Sequence, residues 1–206
     1  YSEGSVDTGY QRIGIEGSAT FEDNIAGDAG GAIYMQSDAY YGNTGNQSIY
    51  INGDATFEGN EAGDNGGAIF MYSEGSGYTG YQSIYIGDIA TFTSNIAGGA
   101  GGAIYMYSDS DNGDTGNQRI YIGGDATFTG NAAGYMEGDG NGGAIYMASE
   151  TNNNTGNQSI EIGGDATFTD NTASSDGGAI FMYSEGSVDT GYQRIDIGGD
   201  ATFIGN

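Results

Sequence analysis

The six residues GGAIYM at positions 30–35 set the pattern of the whole chain, because they recur with almost no change. GGAIYM or GGAIFM begins again at residues 66, 101, 142 and 177, at spacings of 36, 35, 41 and 35 residues. Two further motifs alternate with it, since TGxQxIxI and ATFxxN each occur six times in the 206 residues. Repetition at a fixed period of about 20–50 residues is the signature of solenoids and related arrays.

Side chains within each repeat alternate with a period of two, which is typical of β-strands. In the first copy of AIYM, Ile33 and Met35 point to one side of the strand and Tyr34 to the other. IxI and ATF alternate in the same way. The residues on the apolar side of each strand hardly change between copies, whereas the residues on the opposite side vary. Each repeat is therefore predicted to form three short strands, separated by turns rich in Gly and Asn.

Stacked repeats of this kind predict an all-β fold, a parallel β-solenoid with three strands per coil and about 35–36 residues per coil. Residues 1–206 are expected to form a single array of about six coils. Because residues 1–13 are identical to residues 183–195, the chain is predicted to be part of a longer solenoid. The spacing of 41 reflects mainly an insertion in residues 132–141, and an insertion there fits a surface loop.

Identical residues of successive coils are expected to lie one above another, about 4.8 Å apart. Amide side chains in such a column bond to one another along the stack. The expected asparagine ladder consists of Asn24, Asn60, Asn95, Asn131, Asn171 and Asn206. The expected inner isoleucine column consists of Ile33, Ile69, Ile104, Ile145 and Ile180. The expected inner phenylalanine column consists of Phe21, Phe57, Phe92, Phe128, Phe168 and Phe203.

The charge of the chain restricts its partners and its chemistry. With 28 acidic and three basic residues, the net charge is −25, which argues against binding to nucleic acid or to an anionic membrane. No apolar run approaches the ~18 residues of a membrane span, so no membrane insertion is expected for this segment. His, Cys and Lys, the commonest catalytic bases and nucleophiles, are absent. We therefore predict no enzyme and no cofactor, with non-specific Ca²⁺ association left open.

The combination of GGAI with FxxN, repeated in tandem, resembles the repeats of the chlamydial-type polymorphic membrane proteins. The matching residues in the first coil are Phe21 to Asn24 and Gly30 to Ile33, and each later coil has their counterparts. The resemblance covers essentially the whole chain. It implies a right-handed parallel β-helix that is exported to the cell surface and acts there as an adhesin. The copies in this chain are more uniform than is typical of that family.

Two loop features are candidate sites. The acidic stretch at residues 108–115 places Asp109, Asp111 and Asp114 close together, and hard oxygen ligands in a flexible loop suit Ca²⁺. The spacing does not match an EF-hand loop, so a solvated acidic loop is the alternative. Three asparagines lie in N-x-S/T triplets and are possible glycosylation sites, namely Asn46, Asn153 and Asn157.

An outward aromatic stripe is predicted along the AIYM strands. The stripe is either a simple ladder of stacked rings or an interface for sugar chains, for another solenoid or for an overlying loop. Its residues are Tyr34, Phe70, Tyr105, Tyr146 and Phe181.

Taken together, the sequence predicts a structural extracellular filament or surface fibre built from stacked coils, with a possible adhesive role. Its partners would be further coils of the same kind, and glycans or host and cell surfaces. A finite cell-surface adhesin passenger is one alternative. An ice-binding solenoid is another, since ATFT at residues 90–93, 126–129 and 166–169 places two outward threonines in each of three coils. Glu22, Glu58 and Ile204 interrupt the second of these columns.

Overall fold

A computed structural model describes residues 1–4, 7–134 and 140–206, and within these ranges every regular element is a β-strand. The chain forms the parallel β-solenoid that its repeats predicted, and its six coils, the first and last of them incomplete, make about five full turns. No helix long enough to cross a membrane occurs in the described ranges. The middle of the predicted insertion loop, residues 135–139, lies outside the described residues.

Four sheets run along the solenoid, and the chain adds one strand to each of them in turn, so that sheets A, B and C have six strands and sheet D has five. Sheet A comprises Ser2–Gly4, Ile33–Ala39, Ile69–Gly75, Ile104–Ser110, Ile145–Thr151 and Ile180–Gly186. Sheet B comprises Gln11–Ile15, Gln47–Ile51, Gln82–Ile86, Gln118–Ile122, Gln158–Ile162 and Gln193–Ile197. Sheet C comprises Ala19–Glu22, Ala55–Glu58, Ala90–Thr93, Ala126–Thr129, Ala166–Thr169 and Ala201–Ile204. Sheet D comprises Ile25–Ala26, Glu61–Ala62, Ile96–Ala97, Ala132–Ala133 and Thr172–Ala173.

The three strands predicted for each coil are present, and sheet D adds a fourth strand of only two residues. Sequence reasoning missed it because two residues are too short to show a period. Every pair of neighbouring strands is parallel and in register, so that Ile84, for example, lies between Ile49 and Ile120. In-register pairing keeps each side chain on the same face in every coil, since a slip of one residue would turn the whole strand over.

The apolar part of the core consists of the predicted ladders. The isoleucines of sheet A pack with the methionines of the same strands, the IxI residues of sheet B and the alanines and phenylalanines of sheet C. Neighbouring phenylalanine rings stack at centroid distances of 4.7–4.8 Å. The rings of Phe57, Phe92, Phe128 and Phe168 are fully buried. Stacked identical side chains thus bury one another, which a single coil could not achieve.

The asparagine ladder is also present, at the corner between sheets C and D. Each Asn Nδ2 donates to Oδ1 of the Asn in the following coil at 2.7–2.9 Å. From the second coil onward it also donates to the backbone oxygen of the phenylalanine in the preceding coil at 2.9–3.0 Å. These bonds satisfy polar groups that would otherwise be buried without a partner.

A second amide ladder, which the sequence analysis did not identify, is formed by the glutamine at the start of each strand of sheet B. From the second coil onward, the Nε2 of each glutamine donates to Oε1 of the glutamine in the preceding coil at 2.9–3.4 Å. The alternation QxIxI contained the signal, because it puts the glutamine on the same face as the two isoleucines. The ladder consists of Gln11, Gln47, Gln82, Gln118, Gln158 and Gln193.

The two glycines of each GG pair serve different purposes at the corner that leads into sheet A. The first has a positive φ, between 66° and 68° in the five copies, which L side chains rarely adopt. The second lies against the next coil, since a Cβ added to Gly102 would be 2.0 Å from the carbonyl oxygen of Gly143. The GG pair is therefore required both for the turn and for the close approach of successive coils.

Candidate functional site

Because the inner residues are nearly identical in all coils, any site is expected on the outer faces, where the sequence varies. The outer face of sheet A carries the predicted aromatic stripe, but its position outside the main core does not leave it open to solvent. The five rings stack at 4.8–5.3 Å. Phe70 and Tyr105 are only 7% and 8% exposed, however, and Tyr34 of the first coil is the most exposed of the five, at 39%.

The stripe is buried because two neighbours cover it. Ala29 and Ala100, in the segments between sheet D and sheet A, pack with Phe70 and Tyr105 in a second apolar cluster. On the other side, Tyr72 stacks against Phe70 at 5.9 Å. Alternation along the strand predicts that these rings point away from the main core. It does not predict that the segments connecting sheets D and A pack over them. Tyr146 and Phe181 are likewise half-buried. The middle of the stripe therefore forms a second apolar cluster rather than an open binding surface.

A ladder of carboxylates lies on the same face, two residues beyond Tyr72 and its counterparts in the other coils. The pairing of sheet A places one acidic residue in each coil at the same position. Tyrosine hydroxyls donate to some of them, at 2.7 Å from Tyr1 to Glu3 and 2.5 Å from Tyr72 to Glu74. The acidic ladder consists of Glu3, Asp38, Glu74, Asp109, Glu150 and Glu185.

Partial burial and neighbouring carboxylates raise the pKa of two members of this ladder, Asp109 and Asp38. Partial burial, together with the neighbouring Glu150 and Glu74, raises the pKa of Asp109 to about 6 from its ordinary 3.8. Partial burial, with Glu74 and Glu3 nearby, also raises the pKa of Asp38, against the opposing effect of the hydrogen bond from Gln36. A carboxyl with a raised pKa binds protons more strongly in the folded chain than in the unfolded one.

We expect the folded chain to become more stable as the pH falls from about 7 towards about 4. The sign follows because Asp109 takes up its proton near pH 6 when folded but only near 3.8 when unfolded, so the gain is complete below the lower value. The substitution Asp109→Asn should raise the melting temperature at pH 7.5 and flatten this dependence. Circular dichroism melts between pH 4 and pH 8 test it, with Glu16→Gln, an exposed acid outside the ladder, as the control. A melting temperature that falls steadily on acidification would contradict it.

The calcium candidate is not supported by the structure. No group of three acidic side chains among the described residues is placed to hold a metal ion. Asp109 belongs to the acidic ladder, Asp111 lines a neighbouring cleft with Glu74, and Asp114 Oδ1 accepts from the backbone and the side chain of Asn154. Asp111 lies close enough to Asp109 to contribute to its raised pKa, whereas Asp114 faces Asn154 in the next coil, so the three carboxylates do not converge on one point.

The three glycosylation candidates lie at loop positions on the surface. Asn46 is exposed, and Asn153 and Asn157 are half-exposed. Each side chain also bonds to an adjacent coil, since Asn46 and Asn157 accept from the backbone nitrogens of Tyr81 and Tyr192 and Asn153 donates to a loop carbonyl. Glycosylation of these asparagines stays a prediction. Attachment of a glycan to the amide would compete with the inter-coil hydrogen bonds.

The outer face of sheet B shows the greatest variation between coils. Tyr50, Tyr85 and Tyr121 stack at 4.7 and 5.0 Å in the middle coils. The three arginines of the chain lie one column away, all on exposed positions, and the serines Ser48, Ser83 and Ser159 hold that position in the other coils. Arg12 lies over the ring of Tyr50 at 5.7 Å and Arg119 over that of Tyr121 at 5.1 Å.

The outer face of sheet C is a threonine array. One column is threonine in all six coils, and the second is threonine in the third to fifth coils. The six threonines of these three coils are half-exposed and in register. Their positions are Thr91, Thr93, Thr127, Thr129, Thr167 and Thr169.

Fold and surfaces together define a tandem-repeat β-solenoid. Comparison with protein-family models identifies the repeat as the Chlamydia polymorphic membrane protein repeat, which matches residues 18–36, 54–71, 90–106, 125–148 and 165–182. The chain thus carries a tandem array of five such repeats, and the resemblance seen in GGAI and FxxN is confirmed. Comparison with curated proteins found no match, and comparison with solved structures found none either.

Proposed function

We propose that this chain is a structural element of an extracellular filament or surface fibre, extended by the stacking of coils along one axis. The observation that carries the proposal is the unbroken in-register pairing of sheets A, B and C through all six coils. The strands of each interior coil use one edge to bond the coil before and the other edge to bond the coil after. A coil that repeats the same donors and acceptors on both sides accepts another coil of the same kind at either side.

Self-association through such edges is the partner interaction that we propose, either by covalent continuation of the array or by contact between copies. The asparagine ladder supports it, since the bond from Asn60 to Asn95 is repeated from Asn95 to Asn131. The acidic surface supports it as well, because a net charge of −25 opposes lateral aggregation while the ends of the stack remain able to pair.

We further propose that the protein acts at the cell surface or outside the cell. Support comes from the polymorphic membrane protein repeat, whose family is associated with the cell surface. An adhesive role towards glycans or host and cell surfaces is the finer part of this proposal. A finite adhesin passenger of limited length is the alternative arrangement of the same coils.

Electron microscopy of the native material, labelled with antibodies raised against this chain, tests the proposal. We expect long labelled filaments that give a layer line near 4.8 Å, the spacing of paired strands. Short discrete rods of uniform length would contradict the fibre and would favour the adhesin passenger. A second preparation from material treated with protease to remove loops is the control, since the coil core should keep its layer line.

Ice binding is a second candidate function, which the threonine array on sheet C favours. Its two columns are regular because parallel strands repeat at about 4.8 Å and alternate residues of a strand lie about 6.6 Å apart. Such a flat lattice of hydroxyl and methyl groups suits an ordered water layer. The interruptions by Glu22, Glu58 and Ile204 confine it to three coils. Thermal hysteresis of the purified chain is the expected result, and its absence would remove this candidate.

A further inference from the structure

A polar groove lies on the outer face of sheet B in the last three coils, away from the stacked stripe and the acidic ladder. It has a volume of about 290 Å³. Strand pairing arranges its lining as a grid, because successive coils place residues side by side at one strand position. The central column of the grid reads Arg119, Ser159 and Arg194, and the column beside it contains Glu161 and Asp196.

The charges in this groove compensate one another, in contrast to the rest of the chain. Arg119 bonds to Glu161 across neighbouring coils at 2.7 Å, and Arg194 bonds to Asp196 at 2.6 Å. Two of the three cations of a chain with 28 acidic residues are therefore concentrated here, against two carboxylates. A ligand with a net charge of either sign would meet repulsion from one half of these groups, whereas a neutral polar ligand would not.

The remaining polar groups are held in place by the next coil. Asn117 Oδ1 accepts from the backbone nitrogen of Asn157 at 2.8 Å, and Asn157 Oδ1 accepts from that of Tyr192 at 3.0 Å. These bonds fix the plane of each amide, so that binding would cost little side-chain ordering. Guanidinium groups, carboxylates, amides and a serine hydroxyl together offer both donors and acceptors within one groove.

An exposed aromatic ring completes the groove at one edge. Tyr192 is 56% exposed, and it lies in the last coil at the position that Asn117 and Asn157 hold in the two before. A half-apolar ring beside planar polar groups suits a ligand whose faces carry C–H groups and whose edges carry hydroxyls. Sugar rings have that division, and each hydroxyl both donates and accepts a hydrogen bond.

We propose that this groove binds a neutral oligosaccharide. The equivalent positions in the first three coils serve as a built-in contrast, because no acidic residue occurs there and Tyr10 and Ser48 hydroxyls bond to each other at 2.8 Å. The proposal deepens the adhesive part of the proposed function and rests on it for its setting. Binding in solution is nevertheless independent of filament formation, so either idea can fail without the other.

The test is titration of the purified chain with cellohexaose, maltohexaose and chitohexaose, with hexagalacturonate as the acidic comparison. We expect at least one neutral hexasaccharide to bind and Ser159→Trp, which fills the centre of the groove, to weaken it about tenfold or more. The matched control is Ser83→Trp, at the same strand position but outside the groove, which should change the affinity less than about twofold.

Three results would overturn the assignment. They are no binding of any neutral hexasaccharide at millimolar concentration, equal losses in the two tryptophan variants, and binding of hexagalacturonate alone. Circular dichroism of each variant separates a blocked groove from a misfolded coil. Should Ser159→Trp misfold, Arg194→Ala provides a second variant, because its side chain is exposed and pairs with Asp196 within its own strand. It too is expected to weaken binding, and unchanged affinity in this folded variant would contradict the proposal.

Discussion

Replacing Gly102 by alanine is expected to destabilise the solenoid by about 3 kcal/mol or more, which is large for a single methyl group. The added Cβ would lie 2.0 Å from the carbonyl oxygen of Gly143 and 2.7 Å from the backbone nitrogen of Ala132. Both contacts are with backbone, which has no rotamer to change, so two coils would have to separate locally. A fall in melting temperature of about 6–12 °C, measured by circular dichroism, is the expected size for a chain of this length.

Gly17→Ala is the matched control for this substitution. An added Cβ at Gly17 meets no atom within 4 Å, and the residue lies outside the strands. We therefore expect a change of less than about 0.5 kcal/mol. Equal effects at Gly102 and Gly17 would show that the solenoid tolerates wider spacing at the GG corner and would refute the role assigned to the second glycine.

The second large effect is expected for Asn95→Ala, in the middle of the asparagine ladder. Asn95 Oδ1 accepts from the backbone and the side chain of Asn60 at 3.2 and 2.9 Å, and its Nδ2 donates to Phe57 and Asn131 at 3.0 and 2.9 Å. The side chain is completely buried, so these groups would lose their partners without access to water. The expected loss is about 3–5 kcal/mol, measured by urea unfolding.

Two further variants separate hydrogen bonding from packing at this position. Asn95→Asp keeps the shape but places an oxygen opposite the acceptors on Phe57 and Asn131, so it should destabilise as strongly as the alanine variant. Asn24→Ala should cost only about 1 kcal/mol, because Asn24 is half-exposed and its side chain makes one ladder bond, to Asn60. A mild effect of Asn95→Asp would mean that the ladder acts by shape and not by its amide bonds.

These results bear on function because the inner ladders make the coils interchangeable and leave recognition to the outer faces. The apolar residues of sheet B are the same in neighbouring coils, whereas the outward residue beside them is Tyr121, Glu161 or Asp196. Variation on a constant scaffold allows separate surfaces to coexist along one fibre. The threonine array of sheet C and the polar groove of sheet B illustrate such surfaces on two sides of the same coils.

Much of the fold could be predicted from the sequence, because each repeat states the same local pattern. Alternation with a period of two determined that Ile33 and Met35 face inward, and repetition determined that their equivalents stack. The glutamine ladder was within reach of the same argument, since Gln47 shares its phase with Ile49 and Ile51. The strand Ile96–Ala97 of sheet D could not be predicted in this way, because two residues are too few to show an alternation of apolar and polar side chains.

The sequence by itself thus determined the coil and its inner columns, since these depend only on local alternation and repetition. The tertiary structure alone decided what happens outside the core. Burial of Phe70 depends on the segment that contains Ala29, and the raised pKa of Asp109 depends on partial burial and on Glu150 and Glu74 from other coils. The physical reason is that alternation states on which side of a strand a residue lies, whereas exposure and charge depend on neighbours that are distant in the chain.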